Sequence, residues 1–118
     1  MTYYLIKTLG IERNTVIASE LGIQLGKGGT EVNLNICREL NADTYLSGIS
    51  GKDYLDGEHF SKEGIKVVYQ EFYHPIYKQM HEPFLPCMSV IDLLFNHGDK
   101  SLDVLAGIGV ERMDKPFE

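Results

Sequence analysis

The chain is 118 residues long, with 43% apolar and 24% charged residues and a formal net charge of −6. That length suits one domain able to bury roughly two thirds of the surface its unfolded chain exposes, and the composition argues against wholesale disorder. An acidic balance with no stripe of Lys and Arg argues against a nucleic-acid or anionic-membrane binder, and no apolar run approaches the roughly 20 residues that span a bilayer.

Met1-Thr2-Tyr3-Tyr4 lacks the charged start and long apolar region of a secretory signal. Cys37 and Cys87 form no paired spacing, so neither a disulfide framework nor a zinc site is expected. The expectation is a cytoplasmic domain. Tyr3 to Leu9 reads as the tail of a helix with Gly10 just past its end. It begins almost at the first methionine, as the remnant of a longer chain would. Thr15-Val16-Ile17-Ala18 reads as a short buried strand.

Gly22 to Gly29 holds four glycines and is predicted to be a loop. Thr30 suits an N-cap, and Glu31 places a negative charge in the first turn. Val32, Ile36 and Leu40, with Cys37 beside them, predict an amphipathic helix from Glu31 to Leu40 that Asn41 ends. Thr44-Tyr45-Leu46 is the second predicted strand. Asp56 to Glu63 is a short helix closed by Gly64, and Ile65 to Phe72 is the third strand, with Ile65, Val67 and Tyr69 on one face.

The alternation predicts an α/β fold: a small three-layer domain with a short, mostly parallel, Rossmann-like sheet. Three strands leave exposed edges, so the fold reads as incomplete and open to homo-oligomerisation through a sheet edge. Pro75, Pro83 and Pro86 punctuate an irregular connection. Ser89 begins a compact helix, apolar nearly all round and expected to be buried, and Ser101 to Leu105 adds a turn. Residues 1–110 read as one domain and 111–118 as a loosely held polar tail.

The main candidate site is the loop Ser47-Gly48-Ile49-Ser50-Gly51-Lys52-Asp53-Tyr54, which leaves the carboxyl end of the second strand, where open α/β sheets bind ligands. Gly48 and Gly51 let backbone approach a ligand, and Ser47 and Ser50 supply hydroxyls. Lys52 suits a phosphate or carboxylate; Asp53 is a candidate catalytic or hydroxyl-orienting carboxylate or, alternatively, a cap on the next helix. Gly26-Lys27-Gly28-Gly29-Thr30 fails the phosphate-loop pattern, because Leu21 stands where its first glycine belongs and Gly28 where Ser or Thr belongs. It reads as a flexible loop, although a helix starting at Thr30 suits an anion.

Ser89 and Asp92 have capping-box spacing, with Met88 and Leu93 as the accompanying staple. Asp92 is therefore a cap or, alternatively, a catalytic carboxylate, and Asn96 a helix-end residue or a substrate hydrogen-bonder. His59, His74, His81 and His97 are scattered, with no partner three or four positions on, and no metal site is expected. His74, following the third strand, is either a candidate catalytic group at the same sheet edge as the loop or a hydrogen-bonded turn histidine. Tyr69, Phe72, Tyr73 and Tyr77 read as packing. No cofactor is indicated.

Several segments carry a resemblance in their order and spacing. They are Leu9-Gly10-Ile11 with Ser19-Glu20-Leu21, the run from Asn35 to Gly48, and Gly51-Lys52-Asp53-Tyr54-Leu55 with Phe60. His74-Pro75-Ile76-Tyr77-Lys78-Gln79, Phe84-Leu85-Pro86 and Ser89 to Asn96 complete the set. Together they resemble the WbqC-like protein family, found among bacterial genes for O-antigen and other surface polysaccharides. The usual family opening, a Gln-Pro segment followed by Tyr-Leu-Pro-Trp-Leu-Gly-Tyr, has no counterpart here. Lys78 stands where proline is common, and His81-Glu82-Pro83 departs from a more usual His-Gly. The resemblance implies the C-terminal part of a family member, and a transferase-type protein of surface polysaccharide biosynthesis working on an activated sugar, acyl or aminoacyl group. The alternative is a noncatalytic module that binds a sugar nucleotide or a protein. If the absent opening holds half the active site, this chain alone is inactive.

Overall fold

A computed structural model describes residues 1–24 and 26–115. It divides into two compact units, one formed by Thr15–Glu71 and the other by residues 1–14 with 72–115. The fold is α/β, with a short parallel sheet.

In the Thr15–Glu71 unit, helix α2 (Gly29–Glu39) precedes strand β1 (Thr44–Ser47), a 3₁₀ turn (Ile49–Asp53), helix α3 (Gly57–Lys62) and strand β2 (Lys66–Tyr69). The helix that precedes these elements, α1 (Thr2–Thr8), belongs to the other unit. β1 and β2 pair in parallel, from Thr44 opposite Lys66 to Ser47 opposite Tyr69. A parallel pair needs a crossover between its strands, and the turn and α3 supply it. Leu34 and Cys37 of α2, Phe60 of α3 and Ile65 form the core, with Tyr45 stacked on Phe60 at 5.4 Å between ring centroids.

Both helices stop as their sequences suggest. Asn41 adopts a φ of 52° and Gly64 of 72°. In each case the next residue's amide reaches back to a carbonyl of the last turn, Ala42 to Cys37 and Ile65 to Phe60, each at 2.9 Å. Left-handed backbone at these positions costs a glycine little and asparagine less than most residues.

Three expectations are corrected here. Thr15–Ala18 is no strand: Val16 and Ile17 are exposed, and a 3₁₀ turn begins at Ala18. β-Branched residues form a strand only where a ladder partner exists, so the parallel sheet has two strands rather than three. The buried face of α2 runs through Leu34 and Cys37, not Val32, Ile36 and Leu40, and Leu40 is exposed. Finally, α2 is capped by Gly28, at φ 82°, two residues before the expected cap at Thr30.

In the other unit, α1 ends at a left-handed Gly10. Strand β3 (Pro75–Ile76) pairs antiparallel with β4 (Glu111–Arg112), and helices α4 (Val90–His97) and α5 (Ser101–Ala106) lie between them in sequence. Tyr77, Leu93 and Val104 form its core, with Phe84, Leu105 and Val110 packed around them. Glu111 and Arg112 fall within the stretch read as a loose tail, yet they pair with β3, and the Met113 amide extends the ladder to the His74 carbonyl. Residues 116–118 of that tail, and Leu25 of the glycine-rich loop, lie outside the described residues. α4 is less buried than its composition suggests: Leu93 is covered, while Phe95 is 88% exposed. Among the described residues, no helix is long and apolar enough to cross a membrane.

Candidate functional site

The loop after β1 divides into a packed part and an open part. Ser47 is buried, and its hydroxyl donates to the Gly48 carbonyl at 3.0 Å. Gly51 is buried too, and a Cβ there would collide with the Ser47 hydroxyl and press on Leu55. Its glycine is therefore a packing requirement, whereas the sequence reading gave it close approach to a ligand. Gly48, Ser50, Lys52, Asp53 and Tyr54 are exposed. The Lys52 ammonium sits 5.6 Å from the centre of the Tyr69 ring, a cation–π distance. Asp53 has no hydrogen-bond partner among the described residues, and the cap on α3 is Asp56, whose carboxylate accepts from the amides of Glu58 and His59 at 3.0 and 3.4 Å.

Tyr54 leads from this loop into a cavity of about 610 Å³ at the start of α2 and α3, lined also by Lys27, Thr30, Glu31, Arg38, Asp56 and His59 over a floor at Leu34. The walls are tied together by Thr30. Its hydroxyl donates to the Tyr54 carbonyl at 3.2 Å and accepts from the Asp56 amide at 3.0 Å. Tyr54 lies so close to Gly29 that a Cβ there would overlap its ring. The Gly28-Gly29 pair thus serves the geometry of the cavity wall as well as the start of the helix.

The charges of the cavity are mixed. Arg38 pairs with Glu63 at 2.6 Å and also donates to Asn35 Oδ1 at 3.1 Å. The bond to Glu63 raises the Arg38 pKa and lowers that of Glu63. Glu31 accepts from the Lys27 amide at 2.8 Å, which places a carboxylate in the first turn of α2 and blunts its attraction for an anion. Asp56 Oδ2 lies 2.9 Å from His59 Nδ1. Desolvation pushes the Asp56 carboxyl up, but the His59 and Glu58 amides and the His59 ring more than offset it, leaving it below the usual carboxylate range. Sequence reasoning did not reach Lys27, Arg38, Asp56 or His59 as site residues. The available signal was Asp56-x-x-His59, a cap residue with a histidine one turn on.

His74, Asp92 and Asn96 belong to the other unit. His74 is buried among Phe72, Tyr77 and Phe84. Its Nε2 accepts from the Cys87 amide at 3.1 Å, and its Nδ1 is 2.8 Å from the Pro75 carbonyl. That pattern sets the neutral Nδ1–H tautomer and occupies both ring nitrogens with backbone. Of the two roles considered for His74, the geometry matches the turn histidine.

Asp92 does not complete a capping box. Ser89 caps α4 by accepting from the Ile91 amide at 3.2 Å, but the Asp92 carboxylate turns to other donors. Oδ2 accepts from the Tyr77 hydroxyl at 2.9 Å and from Gln79 Nε2 at 3.1 Å, and Oδ1 accepts from Asn96 Nδ2 at 3.2 Å. Gln79 also holds both the amide and the carbonyl of Leu85. Burial and then the bond to Asp92 raise the Tyr77 pKa. The nearby cavity, about 280 Å³, is walled mostly by apolar groups, among them Phe72, Pro75, Tyr77, Met88, Val90 and Leu93. Among the described residues, no cluster of three or more His, Cys, Asp or Glu could hold a metal ion.

A parallel β–α–β unit with a mixed-charge cavity beside its helix starts, and a second unit whose buried polar groups satisfy one another, define a small α/β protein. The family model described as the WbqC-like protein family matches residues 1–104, and the chain belongs to that family. It is 36% identical over 98 residues to the uncharacterized protein Rv1507c of Mycobacterium tuberculosis (strain ATCC 25618 / H37Rv). The match covers 82% of this chain and 42% of the relative, so the chain spans under half of that protein's length. No solved structure matches the chain.

Proposed function

We propose that the protein is a transferase-type member of surface polysaccharide (O-antigen) biosynthesis, working in the cytoplasm on a nucleotide-activated sugar. One observation carries the reading. Tyr54, at the end of the loop that leaves a parallel strand, enters a cavity of about 610 Å³ that combines an aromatic ring, two cations and two carboxylates. That volume lies in the range of small-molecule sites. A sugar ring offers C–H groups to an aromatic face, its hydroxyls suit the Asp56 and Glu31 carboxylates, and a diphosphate suits Lys27 and Arg38. In this reading the exposed loop residues Gly48, Ser50, Lys52, Asp53 and Tyr54 contact the ligand, with Asp53 as the loop's free carboxylate.

Calorimetric titration with UDP-glucose, dTDP-glucose and GDP-mannose tests it. Saturable binding of at least one, lost in Tyr54→Ala with the far-ultraviolet circular dichroism unchanged, is the expected result. Absence of saturable binding to all three overturns the reading. The second reading, a noncatalytic sugar-nucleotide-binding module, is favoured by the engagement of His74 and Asp92 in internal bonds. Binding without turnover of any of the three donors selects it.

A further inference from the structure

We propose that His59, oriented by Asp56, is the proton-accepting group of the cavity at the starts of α2 and α3, an inference that rests on the transferase reading above. Asp56 is fixed first. As the N-cap of α3 its carboxylate accepts from two backbone amides, and its own amide donates to the Thr30 hydroxyl. Its second carboxylate oxygen lies 2.9 Å from His59 Nδ1. A carboxylate there draws the imidazole proton to Nδ1 and leaves Nε2 as the basic nitrogen. Nε2 has no partner among the described residues, and His59 lines the cavity with its side chain 60% exposed. Both nitrogens of His74 meet backbone groups; His97, whose Nε2 lies 3.0 Å from the Lys78 carbonyl, also has one nitrogen held, but of the two it is His59 that lines this cavity.

The other charged or titratable groups lining the cavity are Lys27, Glu31, Arg38 and Tyr54. Arg38 is committed to Glu63, and Glu31 accepts the Lys27 amide. Asp56 is already occupied by its cap. His59 is thus the cavity group with a basic nitrogen left free.

In the step, an acceptor hydroxyl attacks the anomeric carbon of the activated sugar as its proton passes to His59 Nε2. A new C–O bond forms. The bond from that carbon to the diphosphate oxygen breaks, its electron pair leaving with the nucleoside diphosphate, and His59 later returns the proton to solvent. Asp56 acts as a positioning residue, holding the tautomer and steadying the imidazolium.

The test measures nucleoside diphosphate release by the whole chain from UDP-glucose, dTDP-glucose and GDP-mannose, with water and with methyl glucoside as acceptors, across pH 5–9. It is joined to a pH titration of the His59 ring by NMR. A general base contributes about 100-fold or more, so His59→Asn is expected to cut kcat by about 100-fold while KM stays within about threefold. It should also remove the acid limb of the pH profile. Asp56→Asn is expected to release the Nδ1–H tautomer of His59, read from the ring nitrogen shifts, because the carboxylate that holds that proton is gone.

Wild-type rates retained in His59→Asn overturn the proposal and leave the transferase reading intact. No turnover by the wild-type chain overturns both. A His59 ring tautomer that does not respond to Asp56→Asn overturns the pairing irrespective of turnover.

Discussion

The two units treat their polar side chains in opposite ways. In the unit of α4 and α5, Tyr77, Gln79, Asp92 and Asn96 close on one another, and His74 is sealed between two backbone groups. In the parallel β–α–β unit, Tyr54, Lys27, Asp56 and His59 line an open cavity, while the backbone around them is held by Thr30 and by the cap of α3. A carboxylate that accepts from three side chains adds rigidity; a histidine with one nitrogen held and the other free has chemistry left to do. Burial and number of partners, more than residue type, separate the two roles.

The largest effect that sharpens the contrast is on the core that positions the cavity. Phe60 is fully buried, stacks on Tyr45 and sits next to His59 on α3. Phe60→Ala is expected to cost about 3–5 kcal/mol, measured by urea denaturation, and to abolish ligand binding with the fold. Asp92→Ala comes next. It leaves the Tyr77 hydroxyl without its acceptor and takes one of two acceptors from each of the Gln79 and Asn96 amides, at about 1–3 kcal/mol, while under the proposed function sugar-nucleotide affinity stays unchanged. A loss of turnover in Asp92→Ala without a loss of stability would break the comparison, because it would make Asp92 the catalytic carboxylate after all. Gly51→Ala follows at about 1–3 kcal/mol, as its methyl group meets Ser47 and Leu55.

Much of this contrast was legible in the sequence where it is local. Gly64 and Asn41 marked helix ends because only left-handed backbone finishes those turns cheaply, and the alternation of Ile65, Val67 and Tyr69 gave the buried face of β2. The misreadings share one cause. Ser89 and Asp92 satisfied a four-residue spacing, but the partners that claim Asp92 stand 13 and 15 residues away. Val16 and Ile17 had strand propensity but no ladder. The cavity draws on residues 27–38 and 54–59, two stretches joined through Thr30, and no single window contains it. The family, in contrast, was legible because its signature is the order of many short segments along the chain.

A smaller effect concerns pH. The folded-state pKa of Asp56 lies below its ordinary value of 3.8, so its charge favours the native state above that value. The contribution fades as pH falls through the lower folded value. Stability lost in Asp56→Ala, followed by thermal melts, is therefore expected to shrink below about pH 4. A deficit that keeps growing below about pH 4 would contradict the lowered Asp56 pKa as its source.

The smallest expected effect on stability is at Asp53, and it is the sharpest test of the division between the units. Its carboxylate is exposed and has no partner among the described residues, so Asp53→Ala should change unfolding free energy by less than about 0.5 kcal/mol. If the loop after β1 contacts the ligand, the same substitution abolishes turnover of the sugar nucleotide. Asp53 and Asp92 then form a reciprocal pair, one silent in denaturation and decisive in the assay, the other the reverse. Should Asp53→Ala be silent in both, ligand contact would contract to the cavity walls at Tyr54, Asp56 and His59, and the loop would be left with the packing role that Gly51 and Ser47 already give it.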